Sequence, residues 1–202
     1  MKSVLMRMGS LYSDEGWLPE EAEICDLSRL EGTCCYCDPQ SEAAIRKAIA
    51  ALPLRALHWI DSGDYHYLTE LWMRRLTRPA RLVLIDNHPD DQEPAFGGEI
   101  LSCGGWVAHA RRTNKMLDDS SDLLYISIDL DILSPEFART NWNQGTATLP
   151  ELLEQLARLT EGKEIAGVDI CGGITSAQGG TAEDFTINRR TRETLLSFFK
   201  EV

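Results

Sequence analysis

Three short apolar runs in this chain end at an aspartate. Residues 54–60 run into Asp61, Arg81–Ile85 into Asp86, and residues 123–128 into Asp129. Continuous apolar runs of this length read as strands buried on both faces, the habit of parallel sheets. Residues 3–8 and 165–170 supply two more such runs. Between the runs, apolar residues fall at helical spacing. Ala44, Ile45, Ala48, Ile49 and Leu52 form one face behind Ser41, the expected N-cap. Leu68, Leu71, Trp72 and Leu76 form a second face, and residues 106–112 are a third helical stretch. Thr148 and Glu151 form a capping-box pair before Leu149, Leu152, Leu153, Leu156 and Leu159. Residues 188–200 close the chain as a helix with Leu195, Leu196, Phe198 and Phe199 to bury. Residues 9–40 read as irregular, and so does the loop holding Pro89, Pro94, Gly97 and Gly98.

Strand alternating with helix along the whole chain predicts an α/β fold, three layers deep, around a mostly parallel sheet. At 202 residues the chain is expected to form one domain spanning 1–202. Lys and Arg number 20 against 32 Asp and Glu, a net charge of −12. That balance argues against nucleic acid, whose phosphates need Lys and Arg. No run approaches the ~20 apolar residues of a membrane span. Residues 1–10 do not resemble a signal peptide, and six cysteines without one fit a reducing, cytoplasmic setting. The expected partner is a small-molecule substrate, and nothing in the pattern excludes a homo-oligomer.

Ligands of open α/β sheets bind beyond the carboxyl ends of the strands. There the chain places Asp86-Asn87-His88-Pro89-Asp90 and Asp129-Leu130-Asp131, with His66 in a nearby loop. In extended backbone, alternate residues share a side. Asp86, His88 and Asp90 are therefore expected to project together, as are Asp129 and Asp131. Four carboxylates brought close repel strongly, and neither segment contains Lys or Arg. A pair of divalent cations is the natural compensation. Oxygen-rich donors with a minority of imidazole suit Mn²⁺ better than Zn²⁺.

These residues resemble the motifs of the ureohydrolases, the arginases and agmatinases. The D-A-H-x-D motif is matched by Asp86-Asn87-His88-Pro89-Asp90. The S-x-D-x-D-x-x-x-P motif is matched by Ser127-Ile128-Asp129-Leu130-Asp131-Ile132-Leu133-Ser134-Pro135. Ser62-Gly63-Asp64-Tyr65-His66 matches the G-G-D-H-S motif loosely, with Tyr65 separating Asp64 from His66. The likeness covers about residues 55–175, and the chain resembles short, arginase-like bacterial proteins of unassigned substrate more than a true arginase.

The resemblance implies an arginase/deacetylase-like fold and two Mn²⁺ per chain. His66 and Asp90 would bind the first ion, His88 and Asp131 the second, and Asp86 and Asp129 would bridge both. The implied enzyme is a metal-dependent hydrolase of non-peptide C–N bonds, in which bridged hydroxide attacks an amidine, guanidine or amide. Asp90 would act as a catalytic residue on that hydroxide, and His109 would be the proton shuttle. Two other readings remain: a deacetylase-type amide hydrolase with one metal, and a non-catalytic metal-binding protein keeping the fold.

The last motif departs from the family. Arginases carry D-x-x-E, whereas Asp169-Ile170-Cys171-Gly172 places Gly172 where the Glu belongs. Asp169 and Glu183 are the substrate-binding candidates of that region, with Asp184 an alternative to Glu183. Ser102, behind the Gly-rich bend, and Asn141 and Asn143, flanking Trp142, are three more. The Cys34–Cys37 spacing is read as structural, because no second pair completes a zinc site. His58, inside an apolar strand, is read as a satisfied core histidine.

Overall fold

The computed structural model describes residues 1–93 and 100–202. Pro94, Gly97 and Gly98 of the expected loop lie outside the described residues. The strands are β1 (Lys2–Arg7), β2 (Glu23–Asp26), β3 (Tyr36–Cys37), β4 (Ala56–Trp59), β5 (Arg81–Ile85), β6 (Leu101–Ser102), β7 (Leu123–Asp129) and β8 (Glu164–Cys171). The helices are α1 (Leu11–Glu15), α2 (Pro39–Ile49), α3 (Leu68–Met73), α4 (Trp106–Thr113), α5 (Leu149–Thr160) and α6 (Ala182–Glu201). Six strands form one sheet in the order β2-β1-β4-β8-β7-β5. Every pairing in it is parallel. The short β3 and β6 pair antiparallel beside it.

All seven residues of β7 are buried, as the continuous apolar run predicts. Its side chains alternate between two cores. Tyr125 joins Val4, Met6, Ile45, Leu71, Trp72 and Trp106 on the face covered by α2, α3 and α4. Leu124, Ile126 and Ile128 join Leu5, Trp59, Leu156, Ile170, Leu195 and Phe199 on the face covered by α1, α5 and α6. Parallel strands require crossovers, and these helices supply them on both faces. The result is the expected three-layer α/β/α architecture.

Several boundaries differ from the sequence reading. Helix α2 starts at Pro39 because Asp38 is the cap: its carboxylate accepts from the Ser41 amide at 2.7 Å. Ser41 instead sends its hydroxyl to the Glu31 carbonyl at 2.7 Å. Helix α6 begins six residues before the expected start, behind a Thr181–Asp184 capping box. Its first turns hold Phe185 and Ile187 two residues apart, off the helical period, so apolar periodicity does not reveal them. The Thr148–Glu151 box on α5 forms as read. Residues 9–40, expected to be irregular, hold α1, β2 and β3. Among the described residues, no helix is long and apolar enough to cross a membrane.

His58 is a satisfied core histidine. Its Nδ1 lies 2.6 Å from Asp169 Oδ1, and its Nε2 lies 3.0 Å from the Pro53 carbonyl. Its ring stacks on Trp72. The Cys34–Cys37 spacing forms no paired unit. Cys34 is exposed beside Cys35, whereas Cys37 is buried.

Candidate metal centre

Strands β4, β8, β7 and β5 are neighbours in the sheet. Their carboxyl ends bring Asp61, Cys171, Asp129 and Asp86 to one edge. The carboxylates behind β5 and β7 converge, but by turns rather than by extended alternation. Asp86 Oδ1 accepts from the His88 amide at 2.6 Å. Asp129 Oδ1 accepts from the Asp131 amide at 2.9 Å and caps a 3-10 turn over Leu130–Ile132. Asp90 adopts φ +48°, a left-handed conformation that Asp tolerates better than most residues. Asp131 Oδ1 accepts from the Asn87 amide at 3.2 Å, which links the two motifs.

His66 sits just past a 3-10 turn, Gly63–Tyr65, with its amide on the Gly63 carbonyl. Tyr65 thus adds a residue to the first motif, but the turn still aims His66 into the cluster. His66 Nδ1 lies 3.1 Å from Asp86 Oδ2, 3.0 Å from Asp90 Oδ2 and 3.7 Å from Asp129 Oδ2. Its Nε2 lies 2.8 Å from Ser127 Oγ. Metal-ligating histidines commonly hold their second ring nitrogen in this way. Across the cluster, His88 Nδ1 lies 2.8 Å from Asp131 Oδ2 and 3.6 Å from Asp86 Oδ1.

The electrostatics call for cations. Burial, then the charges of Asp129 and Asp86, raise the Asp131 pKa to about 9. Burial and Asp86 raise Asp129 as well. Asp86 is also buried, but His66 outweighs that and lowers it. Burial opposes a charged His66, yet Cys171, Asp86 and Asp90 hold its pKa well above the ordinary value. A metal between these groups would replace the protons that they otherwise share. The donor atoms form compact sets: His66, Asp86 and Asp90; Asp86, His88 and Asp131; and His66, Asp129 and Cys171. The residues present therefore fit divalent cations.

His66, Asp86, His88, Asp90, Asp129 and Asp131 line a cavity of about 240 Å³, with Ser102, Gln92, Cys35, Cys103 and Trp142 among its other lining residues. Trp142 is held at the rim by Asp64. The Asp64 carboxylate accepts from Trp142 Nε1 at 3.0 Å, Asn141 Nδ2 at 3.0 Å, Ser62 Oγ at 3.1 Å and Gln178 Nε2 at 3.2 Å. Gly63 lies under this rim. A Cβ there would meet Trp142 Cδ1 at 2.9 Å and Asp129 Oδ2 at 3.0 Å.

Other candidates from the sequence lie elsewhere. His109 faces α3, with Nδ1 2.5 Å from Glu70 Oε1, and lines a separate cleft with Arg74 and Thr113. Glu70 and Thr113 hold it there, and Trp106, one turn earlier, is the α4 residue that meets the centre, through Asp90 Oδ2 at 2.7 Å. Asp169 is buried two residues before the end of β8 and is held by His58 and by Tyr125 Oη at 2.9 Å. Neither residue lines the cavity. Asn143 is exposed, and its carbonyl accepts from Asn87 Nδ2 at 2.9 Å. Asn141 is used in fixing Asp64. Glu183 is exposed in the first turn of α6, and Asp184 caps that helix and pairs with Arg139.

Sequence reasoning missed Asp64, Cys171 and Arg192. Asp64 was visible in the first motif, and Cys171 in the run before Gly172. Nothing marked Arg192 beyond its place on a helix. It is fully buried against Glu15, and its Nη2 donates to the Gly172 carbonyl at 2.6 Å.

The structure explains why no Glu stands at 172. Gly172 has φ +101°, and a Cβ there would lie 2.6 Å from Asp129 Oδ1 and 2.9 Å from the Leu130 amide. A side chain at this position therefore displaces Asp129. Gly172→Ala is expected to weaken metal retention about 10-fold or more, by analogy with disturbed supporting residues of metal sites. Metal titration of the folded variant checks this, and wild-type affinity would refute it.

No family model matches the sequence. An uncharacterized protein of Thermotoga maritima is 24% identical over 196 residues, covering 83% of this chain and 78% of that protein. Among solved structures, formimidoylglutamase from Bacillus subtilis aligns over 99% of this chain and 88% of its own, at TM-score 0.71 and 12% identity. Proclavaminate amidino hydrolase from Streptomyces clavuligerus aligns over 98% and 91%, at 0.68 and 14%. Entamoeba histolytica arginase, solved with L-ornithine, aligns over the full length of both chains, at 0.68 and 11%. The six parallel strands, their helical layers and these alignments together give the chain the α/β fold of the arginases.

Proposed function

We propose that this protein is a metal-dependent hydrolase of the ureohydrolase type, acting on a C–N bond of an amidine, guanidine or amide. The observation that carries this reading is the sharing of Asp86 between two three-donor groups, one containing His66 and the other His88. Asp86 and Asp129 would bridge two cations, His66 and Asp90 would serve the first, and His88 and Asp131 the second. Mn²⁺ suits the carboxylate-rich donors. Two such ions would supply charge compensation and Lewis-acid activation of water.

The chain's own residues do the rest. Ser127 fixes the His66 ring. The Trp106 indole N–H fixes Asp90 Oδ2. That leaves Asp90 as the carboxylate placed to take a proton from the attacking water and return it to the departing nitrogen. Ser102 and Gln92, which line the same cavity, would offer hydrogen-bonding groups to the substrate, and Trp142 closes the rim beside His88, with ring centroids 6.0 Å apart. With Asn141 committed to Asp64, the substrate-binding role falls first to Ser102.

The test is metal content after reconstitution with Mn²⁺ and removal of excess, followed by a screen of amidines, guanidines and amides for amine release. Two ions per chain with turnover support the proposal. One ion per chain favours the single-metal amide hydrolase, and none overturns the metal reading. Arginine is expected to be a poor substrate, because no carboxylate occupies position 172 to pair with a guanidinium. Arginine turnover on the order of 10 s⁻¹ would contradict that expectation.

A further inference from the structure

The sequence set of metal donors contains only carboxylates and imidazoles, but the structure adds a thiol. Cys171 is the last residue of β8, opposite Asp129, the last residue of β7. Its side chain is 1% exposed, and its Sγ lies 3.0 Å from Asp129 Oδ2. Cys171 Sγ, a carboxylate oxygen of Asp129 and a ring nitrogen of His66 all lie within 4.8 Å of one another. His66 also belongs to the set with Asp86 and Asp90. The thiol therefore stands at the cation position beside His66 and outside the set formed by Asp86, His88 and Asp131.

Local structure fixes this placement. Along β8, Val168 and Ile170 point into the core under α5 and α6. Cys171 falls on the opposite face with Asp169, as strand alternation requires. Gly172 then turns the chain away with φ +101°, and Arg192 clamps its carbonyl. The sulfur cannot reach solvent, and its neighbours on this side are metal-ligand candidates.

We propose that Cys171 is a ligand of the cation beside His66, so that the two positions of the centre differ in metal preference. This rests on the metal reading above. On ligation the Sγ–H bond breaks, the sulfur keeps the electron pair and donates it to the cation, and the proton passes to solvent. A thiolate favours Zn²⁺, Fe²⁺ or Co²⁺ over Mn²⁺. The His88 position, with oxygen and imidazole donors only, keeps the harder preference. The centre is thus built to hold two different metals.

Cobalt provides the test. The wild-type protein is loaded with Co²⁺, and its near-ultraviolet spectrum is read for a sulfur-to-cobalt charge-transfer band. Cys171→Ser and Cys171→Ala are loaded in parallel. Cys35→Ser and Cys103→Ser serve as controls, because both thiols line the same cavity. The expected result is a band in wild type and in both controls that is lost in both Cys171 variants. The Cys171 variants should also lose about 10-fold or more of their preference for Zn²⁺ over Mn²⁺ in competition. Cobalt bound without the band, or a band that survives in Cys171→Ser, overturns the proposal and leaves Cys171 as a hydrogen-bond donor to Asp129. Failure of wild type to bind cobalt, zinc or manganese instead overturns the metal reading itself.

Discussion

Replacing Asp86 with alanine is expected to empty both halves of the metal centre at once. Asp86 is the only residue common to the His66 and the His88 donor sets that contain it. One of its oxygens lies 3.1 Å from His66 Nδ1 and the other 3.6 Å from His88 Nδ1. Removing Asp90 or Asp131 takes a donor from one set only. A graded outcome follows: about two ions per chain in wild type, about one in Asp90→Ala and Asp131→Ala, and close to none in Asp86→Ala. Loss of supporting residues alone costs about 10–100-fold in metal affinity, so loss of a shared ligand should exceed that range. Elemental analysis after dialysis reads the result, and a thermal melt confirms that the variant is folded. Unchanged metal content in Asp86→Ala would end the site assignment.

The largest expected effect on stability lies at Arg192. Arg192 and Glu15 are both fully buried, joined through Nε at 2.7 Å and Nη2 at 3.2 Å. Tyr12 and Trp17 stack against the guanidinium, whose centre lies 5.2 Å and 5.7 Å from their rings. Burial disfavours the charged Arg192, but Glu15, Tyr12 and Asp61 outweigh it and raise its pKa, so the guanidinium stays charged. Arg192→Met leaves Glu15 buried without a counter-charge, with Asn188 Nδ2 at 3.0 Å as its remaining partner, at a cost of about 3–5 kcal/mol. For a chain of this size that lowers the melting temperature by about 6–20 °C. The double variant Glu15→Leu/Arg192→Met should recover most of the loss, because an apolar pair needs no charge balance. Melts of the single and double variants decide the matter. A single variant within 1 °C of wild type would mean that the pair contributes nothing.

The core strands are legible in the sequence because each is a short, mainly apolar run, interrupted at most by a single polar residue such as His58, Ser127 or Asp169. Most residues that cluster are legible for the same reason, since Asp86, His88, Asp90, Asp129 and Asp131 fall within a few residues of those runs, whereas His66 lies beyond an intervening turn. What escaped has physical causes. Strand β2 is a four-residue edge strand with only Cys25 buried, and β3 and β6 are two residues each. Such segments are too short to show a period. The first turns of α6 are held by a capping box rather than by an apolar stripe. His109 and Asp169 were carried over from a family pattern, and their burial against Glu70 and Tyr125 depends on packing between distant segments. Cys171 was visible only as a neighbour of Gly172. That its sulfur meets Asp129 follows from the register of β7 on β8, which no local pattern encodes.

Asp64 receives side chains from four separate stretches of chain, at Cys35, at Ser62, at Asn141 and Trp142, and at Gln178. The rim of the cavity is thus tied together at one anion that stands apart from the donor sets. Under the proposed function, chemistry and selectivity lie in different places along the chain. A replacement at 141, 142 or 178 reshapes what enters without touching any carboxylate that compensates a cation. On that reading, a lineage with this layout is free to change substrates while its donor set stays the same.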